Sequence, residues 1–407
     1  MAQKSKNKSR ISDHIATVFM HAVSAGIGRN TIDDPEFSID EWQILLDLSV
    51  EQGLLPIVFE AVYSLVPKEL EPLYRESSIK FIANQAQRTD VFLRIYRELQ
   101  KEGIVPLVVK GILCRETYEL SDWRISTDED IYIPQEEFMR FHEAMCRMGF
   151  HSSSPNFRSE HETVYKGGGI VIEGHWKLFP QEMNRWEYMD AQTAGIMQRA
   201  RYTDIDGTKI LTPEPTDHMI YLLLHAMKHF SLAGVGIRQI CDIARWAQTY
   251  TIDWNQVRNT IDCFGGVCFA SAVLNVANKH FGMEFPEGWE RVDSTNLIRD
   301  SLEGGTFGHS TEDRLHSALI TFGGEGQKDI GRRAVLRSLF PGRRVMEINY
   351  PWVSRSPALL PVGWCVRLIR YARSVRKGAS PIRSLQIGRQ RVKLLQEYDV
   401  LADTIER

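Results

Sequence analysis

Several features that would settle a function at sight are scarce in this sequence. The six cysteines among 407 residues, Cys114, Cys146, Cys241, Cys263, Cys268 and Cys365, show no paired metal-ligand spacing. This excludes a zinc finger and a disulfide-stapled scaffold, and implies reduced, mostly buried thiols. No apolar run is long enough to span a bilayer. The polar, basic start at Met1–Arg10 leads into a segment broken by Asp13, His14 and His21, so no secretory signal is read and a cytoplasmic location is expected. Charge of one sign is missing as well. Lys and Arg number 49 against 52 Asp and Glu, a net charge of −3. Any pull toward nucleic acid or a membrane surface must therefore be local, and no DNA partner is expected.

What is present is an ordinary globular balance, 43% hydrophobic and 25% charged, in a chain long enough for two to three domains. Residues 1–10 have the composition of a disordered tail. From 11 to 103 apolar residues recur at helical spacing, with Ser38-Ile-Asp-Glu41 as a capping box before Trp42. Gly103 is placed to end the last of these helices. Residues 104–211 mix strand and helix patterns. Within them are a short apolar run at Val105–Val109, a helix from Lys110-Gly111 through Tyr118 and a β-prone run at Asp128–Ile133. A helix over Gln135–Met148 and hairpins around Gly167–Gly169 and Asp206-Gly207 complete the segment. Residues 212–292 read as further helices. Asp293–Gly305 and Phe322–Gln327 read as polar or glycine-rich linkers. The region 293–407 is mostly helical and basic between Arg332 and Lys393, including Arg343, Arg344, Arg367, Arg370, Arg389 and Arg391, with Trp352, Trp364 and Tyr371 interleaved.

Chemistry enters through carboxylates. In a strand, residues two apart share a face, so Asp128 and Asp130 project together while Glu129 points the other way. Two carboxylates side by side repel unless a cation or proton lies between them. Glu173, in the apolar run Ile170-Val-Ile-Glu173-Gly-His175-Trp176, supplies a third from another strand. Such an oxygen-rich cage suits Mg²⁺, which keeps room for substrate phosphates. A pair of such ions is one way to run an in-line displacement at phosphorus. His175 lies one pleat beyond Glu173 on the same face; it lines the site or is a buried histidine bonded to backbone. Trp176 faces the core.

The order of these parts resembles the nucleotidyltransferase superfamily that includes DNA polymerase beta. It is most similar to the bacterial uncharacterised nucleotidyltransferase family, in Lys110-Gly111, Arg124, Asp128-Glu-Asp130 and Glu173-Gly-His175-Trp176. The likeness continues in Leu224-His225-Ala-Met-Lys228-His229, Arg238-Gln-Ile-Cys-Asp242-Ile and Ile252-Asp-Trp254. It covers roughly residues 40 to 290. Two departures stand out. Glu129 replaces the Ile often found between the aspartates, adding negative charge near the site, and Gly174 replaces a hydrophobic residue.

The resemblance implies an α+β fold, a small mixed β-sheet nucleotidyltransferase core flanked by N- and C-terminal helical regions. It implies a metal-dependent nucleotidyltransferase moving an NMP from an NTP, such as ATP, to a hydroxyl acceptor on a small molecule, protein or RNA. Asp128, Asp130 and Glu173 would be catalytic and bind the metal, two Mg²⁺ ions with Mn²⁺ able to substitute. Phosphates would lie at Gly111, where the helix start presents unpaired N–H groups. Lys110 would pair with phosphate or with the trio. Arg124 would hold the acidic loop by an ion pair or touch phosphate. His225, Lys228 and His229 would reach the nucleotide or second substrate, or only pack, with Asp242 orienting a histidine. His225 and His229 lack the Glu and third ligand of a zinc protease. The competing reading is a catalytically silent module of the same fold, recruiting RNA, an acidic protein or a membrane surface through residues 332–393.

Overall fold

Helix ends written into the sequence shape the N-terminal part of the chain. The computed structural model describes residues 11–153, 155, 157, 161–178, 195–232, 234–305, 340, 342–343, 346, 350–376 and 381–400. The expected tail at 1–10 and the expected linker at 322–327 lie outside these residues. Ser12 caps α1 (Asp13–Ile27), accepting from the Ile15 N–H. Ser38 and Glu41 form the expected capping box of α2 (Ile39–Glu51). After α3 (Leu55–Val62), α4 (Glu71–Lys101) runs for 31 residues. Gly103, at φ +70°, ends it: the N–H groups of Gly103 and Ile104 turn back to the Gln100 and Leu99 carbonyls. On α4, the Tyr96 hydroxyl donates to the Pro106 carbonyl and accepts from the Leu211 N–H, tying the helix to the sheet.

The sheet has six strands: β1 (Leu107–Val109), β2 (Glu129–Tyr132), β3 (Glu162–Gly167), β4 (Ile170–His175), β5 (Arg201–Ile205) and β6 (Thr208–Thr212). Their order is β3-β4-β2-β1-β6-β5. The pairs β1–β2, β3–β4 and β5–β6 are antiparallel, while β2–β4 and β1–β6 are parallel. This mixed sheet with flanking helices is the α+β class expected. Between β1 and β2 lies a helix of four residues, α5 (Ile112–Arg115), shorter than the expected helix through Tyr118.

The apolar stripe of α6 (Gln135–Arg147) covers one sheet face, where Phe138 and Phe141 pack on Trp176 and Tyr165. A Cβ on Gly174 would stand 2.9 Å from the Phe141 ring and 3.3 Å from that of Phe138. The two phenylalanines therefore fill the space a side chain would take there. The opposite face of β2 and β4 carries Asp130, Glu173 and His175.

Beyond the sheet come α7 (Pro215–Leu232), α8 (Ile237–Thr249), α9 (Trp254–Asp262), α10 (Val267–Phe281), α11 (Thr295–Gly304), α12 (Leu360–Arg376) and α13 (Pro381–Glu397). Helix α11 stands where a linker was expected; its buried Leu297 and Leu302 give it a packed face. The chain divides into two units. One comprises residues 1–219, 240–253 and 276–285, and the other 220–239, 254–275 and 286–407. The first holds the whole sheet. In the second, Arg391 is buried, bonded to the Asp300 carboxylate and the Phe230 carbonyl, so it is a core residue and not part of a basic surface. Trp352 and Trp364 pack against Met346 and Val353. The thiols are all free, but only Cys114 and Cys241 are buried; Cys146, Cys263 and Cys365 lie exposed, contrary to expectation. No helix among the described residues is long and apolar enough to cross a membrane.

A candidate active site on adjacent strands

Register builds the site. In the parallel pair β2–β4, Asp130 stands directly opposite Glu173, and Tyr132 opposite His175. In the antiparallel pair β3–β4, Glu162 stands opposite His175. Paired residues share a face, so Asp130, Glu173, His175 and Glu162 converge, with Asp128 at the entry to β2. Lys110 follows β1, whose last residue pairs with Asp130. Its Nζ lies 2.9 Å from Asp130 Oδ2. The other oxygen, Oδ1, is 3.3 Å from His175 Nε2, which is 4.0 Å from Glu173 Oε2. His175 Nδ1 lies 3.1 Å from Glu162 Oε2, and His161 Nε2 lies 3.2 Å from that same oxygen. His175 is thus held by side chains rather than backbone.

Charge is unevenly matched here. Asp128, Asp130, Glu173 and Glu162 face Lys110, His175 and, at Glu162, His161. Burial pushes Asp130 up, but Lys110 and His175 outweigh it and hold the carboxyl down at about 2. Among the described residues, the cation within ion-pair reach of Glu173 is His175, at 4.0 Å. Burial, then repulsion from Asp130, Glu162 and Asp128, pushes the Glu173 carboxyl up to about 7. Burial lowers His175, yet Glu162, Asp130 and Glu173 together raise it. A carboxyl whose ionisation is opposed by burial and by neighbouring acids marks a place short of positive charge, and an oxygen-rich set of this kind fits a divalent cation. Among the described residues, three donors come within 4.8 Å of one another in two groups, Asp130–Glu173–His175 and His161–Glu162–His175. Neither includes His225 or His229.

The turn carrying Lys110 is strained and braced. Lys110 and Gly111 both take positive φ, +54° and +44°. The Lys110 N–H donates to His218 Nε2 at 3.0 Å. Burial, then Lys110, pushes His218 down to about 3, so it is a neutral acceptor. Behind Gly111, a Cβ would stand 2.0 Å from Glu129 Oε2. That oxygen accepts the Ile112 N–H at 2.8 Å, and Glu129 Oε1 pairs with buried Arg115 at 2.5 Å. Two expectations change here. Glu129 points away from the trio and is neutralised by Arg115, so it does not burden the site. The first N–H of α5 is engaged by Glu129, and a helix this short presents little dipole to a phosphate.

Arg124 pairs with none of the trio. Its guanidinium grips Asp242 on α8, Nε to Oδ1 at 3.0 Å and Nη2 to Oδ2 at 2.5 Å, and it also bonds Ser126. Tyr118 donates to Asp242 at 3.0 Å. Asp242 therefore orients Arg124 and not a histidine. Ser126, which nothing in the sequence singled out, is the hub of the loop. Its hydroxyl takes Arg115, its carbonyl takes Arg88 and its N–H donates to Gln85. These bonds aim Asp128 and Asp130. His225, Lys228 and His229 belong to the second unit, where His225 Nε2 and His229 Nε2 lie 3.1 Å apart.

Sequence reasoning passed over Glu162, His161 and His218 as site residues. A mixed sheet with acids from neighbouring strands on one face is the plan of a nucleotidyltransferase. The model of the uncharacterised nucleotidyltransferase family matches residues 38–282. The chain belongs to that family, and is by class a transferase of nucleotidyl groups. Comparison with curated proteins and with solved structures gives no match.

Proposed function

We propose that this chain moves an NMP from an NTP to a hydroxyl acceptor in a reaction that depends on a divalent metal. The observation that carries this reading is the direct pairing of Asp130 with Glu173 across β2 and β4, with Asp128 in the loop one residue before β2. Asp128, Asp130 and Glu173 would hold the metal, Mg²⁺ or Mn²⁺. When bound, the metal neutralises charge on the phosphates and lowers the pKa of the attacking hydroxyl.

The chain's own groups do the rest. Lys110 presents an ammonium beside Asp130, on a turn fixed by His218, where it can meet the phosphate oxygens. Gly111 brings the backbone close to the same place. Glu173, whose side chain is 26% exposed, is open to an acceptor and can take the hydroxyl proton. Asp130 is buried and paired, so its part is to bind and not to move protons. The Ser126 hub keeps both aspartates in place without touching substrate.

The test is incubation of the full chain with α-³²P-labelled NTPs, Mg²⁺ or Mn²⁺ and candidate acceptors, including the chain itself. Label transfer with pyrophosphate release, lost in Asp130→Asn while the thermal melt is retained, is expected. Absence of any metal-dependent NTP binding at millimolar concentration would overturn the reading in favour of a binding module.

A further inference from the structure

The pairing of Glu162 with His175 assigns the imidazole a part that a carboxylate-only site does not contain. We infer that His175 is a nitrogen ligand of the divalent cation, held in the required tautomer by Glu162, so that the site favours Mn²⁺ over Mg²⁺. The inference rests on the metal-dependent reading above and says which ion that site takes.

Geometry comes first. Ligands of a six-coordinate ion at about 2.1 Å stand about 3 Å apart when adjacent and about 4 Å apart when opposite. His175 Nε2 is 3.3 Å from Asp130 Oδ1 and 4.0 Å from Glu173 Oε2. One ion can be reached by all three with small side-chain adjustments. Lys110 lies against the other Asp130 oxygen, Oδ2, so ion and ammonium need not compete for one atom.

The second shell agrees. A ligating histidine needs its other nitrogen protonated and held, most often by a carboxylate. Glu162 Oε2 sits 3.1 Å from His175 Nδ1, within ion-pair reach but not aligned as a hydrogen bond, so the ring has a small turn to make when the ion binds. The position of Glu162 follows from the β3–β4 register, which places the two residues directly opposite, and not from a mobile loop. Seating the Nδ1 proton against Glu162 would free Nε2, which is hydrogen-bonded to Asp130 Oδ1, to turn a lone pair toward the ion. Imidazole is a poor partner for Mg²⁺ and an acceptable one for Mn²⁺ and later transition ions. An O,O,N set with room for phosphate oxygens therefore disfavours Mg²⁺ relative to Mn²⁺.

The experiment titrates Mn²⁺ into the full chain without nucleotide and records electron spin-echo envelope modulation of the bound ion. A saturable site with ¹⁴N coupling is expected, replaced by a ¹⁵N pattern when the chain carries ¹⁵N-histidine, and lost in His175→Gln. Glu162→Ala should weaken Mn²⁺ binding about 10–100-fold, and Glu162→Gln, whose amide oxygen still accepts from Nδ1, should restore much of it. This pair leaves the ligand itself intact and decides the matter even where His175→Gln fails to fold. Bound Mn²⁺ that Asp130→Asn removes but that shows no nitrogen coupling would overturn the histidine ligand and leave the transferase reading standing. Coupling that survives in His175→Gln would also overturn it. Failure to bind Mn²⁺ at all, with or without NTP, would remove both.

Discussion

Asp130 and Glu173 are direct neighbours across parallel strands, yet they sit at opposite ends of the carboxylate range. Asp130, against Lys110 and His175, is held down at about 2; Glu173, crowded by Asp130, Glu162 and Asp128 as well as buried, is pushed up to about 7. A site whose Lys110 and His175 contacts favour Asp130, with His175 only 4.0 Å from Glu173, is set up to respond to an added cation.

Glu173 therefore yields a stability prediction with a definite sign. Its folded-state pKa lies above the ordinary glutamate value of 4.5, so the folded chain holds that proton more tightly than the unfolded chain. The contribution is fully present below pH 4.5 and is lost as pH rises through 7. In metal-free buffer, Glu173→Gln should be more stable than the wild type at pH 8, on the order of 1–3 kcal/mol, and no more stable at pH 4. Adding Mn²⁺ or Mg²⁺ at pH 8 should stabilise the wild type and not the variant. Thermal melts at the two pH values, with and without metal, measure this. An equal effect of the substitution at both pH values would contradict it.

His218 gives the opposite sign. Its pKa is pushed down from 6.5 to about 3, so the unfolded chain takes the proton first. The stability it protects is complete above pH 6.5 and is lost as pH falls toward 3. At pH 5 the cost is about 2 kcal/mol. His218→Gln keeps an acceptor for the Lys110 N–H and removes the titration. Its melting temperature should fall less than that of the wild type between pH 7 and pH 5. His218→Ala, which leaves the Lys110 N–H without its acceptor, should be less stable at both pH values and should weaken NTP binding. Parallel melts and NTP titrations separate the two effects.

Much of this was legible in the residues. The capping box at Ser38, the Gly103 helix end, the Asp-x-Asp strand and both hairpins follow from local patterns. Glu162 was legible too, in principle. Gly168 and Gly169, both at positive φ, make the two-residue loop that a right-twisted hairpin prefers. Counting outward from it pairs Gly167 with Ile170 and then Glu162 with His175. Reading the glycines as a three-residue turn hides that register. The rest was not legible because it depends on contacts far apart in sequence. Nothing near Arg124 says that Asp242 will claim it before the three nearby acids do, and nothing near Lys110 announces His218. Glu129 looked like excess charge because its partner Arg115 lies across a turn whose helix is shorter than its sequence suggests.

Gly111 carries a prediction that separates backbone from side-chain effects. Its φ of +44° and the 2.0 Å approach of a notional Cβ to Glu129 Oε2 mean that Gly111→Ala must move a carboxylate already fixed by Arg115 and the Ile112 N–H. A loss of more than 2 kcal/mol is expected, above the usual penalty for alanine at a left-handed position. Lys110 also has positive φ, but its ammonium is the ion-pair partner of buried Asp130. Lys110→Gly should relieve backbone strain yet lose stability at neutral pH, because the Asp130 carboxylate is left without its cation, and should lose the NTP affinity contributed by the ammonium. Added divalent metal should recover stability in Lys110→Gly and not in Gly111→Ala, which chemical denaturation with and without metal measures.

Arg124 and Asp242 form the last test, because Arg124 was expected either to hold the acidic loop or to touch phosphate, and its guanidinium grips Asp242. Both are buried, and the guanidinium fork meets the carboxylate through two bonds. Removing one partner leaves a charge without compensation, at a cost of about 3–5 kcal/mol. Removing both costs less than the sum, because no stranded charge remains. A cycle of Arg124→Gln, Asp242→Asn and the double variant should thus show a coupling of about 1–3 kcal/mol. Activity discriminates further. If Arg124 acts only by aiming the Asp128–Asp130 loop through Ser126, then Arg124→Gln and Asp242→Asn should lower kcat in step and change the KM for NTP alike. An Arg124 variant whose KM rises far beyond that of Asp242→Asn would mean that the guanidinium leaves Asp242 and meets phosphate in the reacting complex.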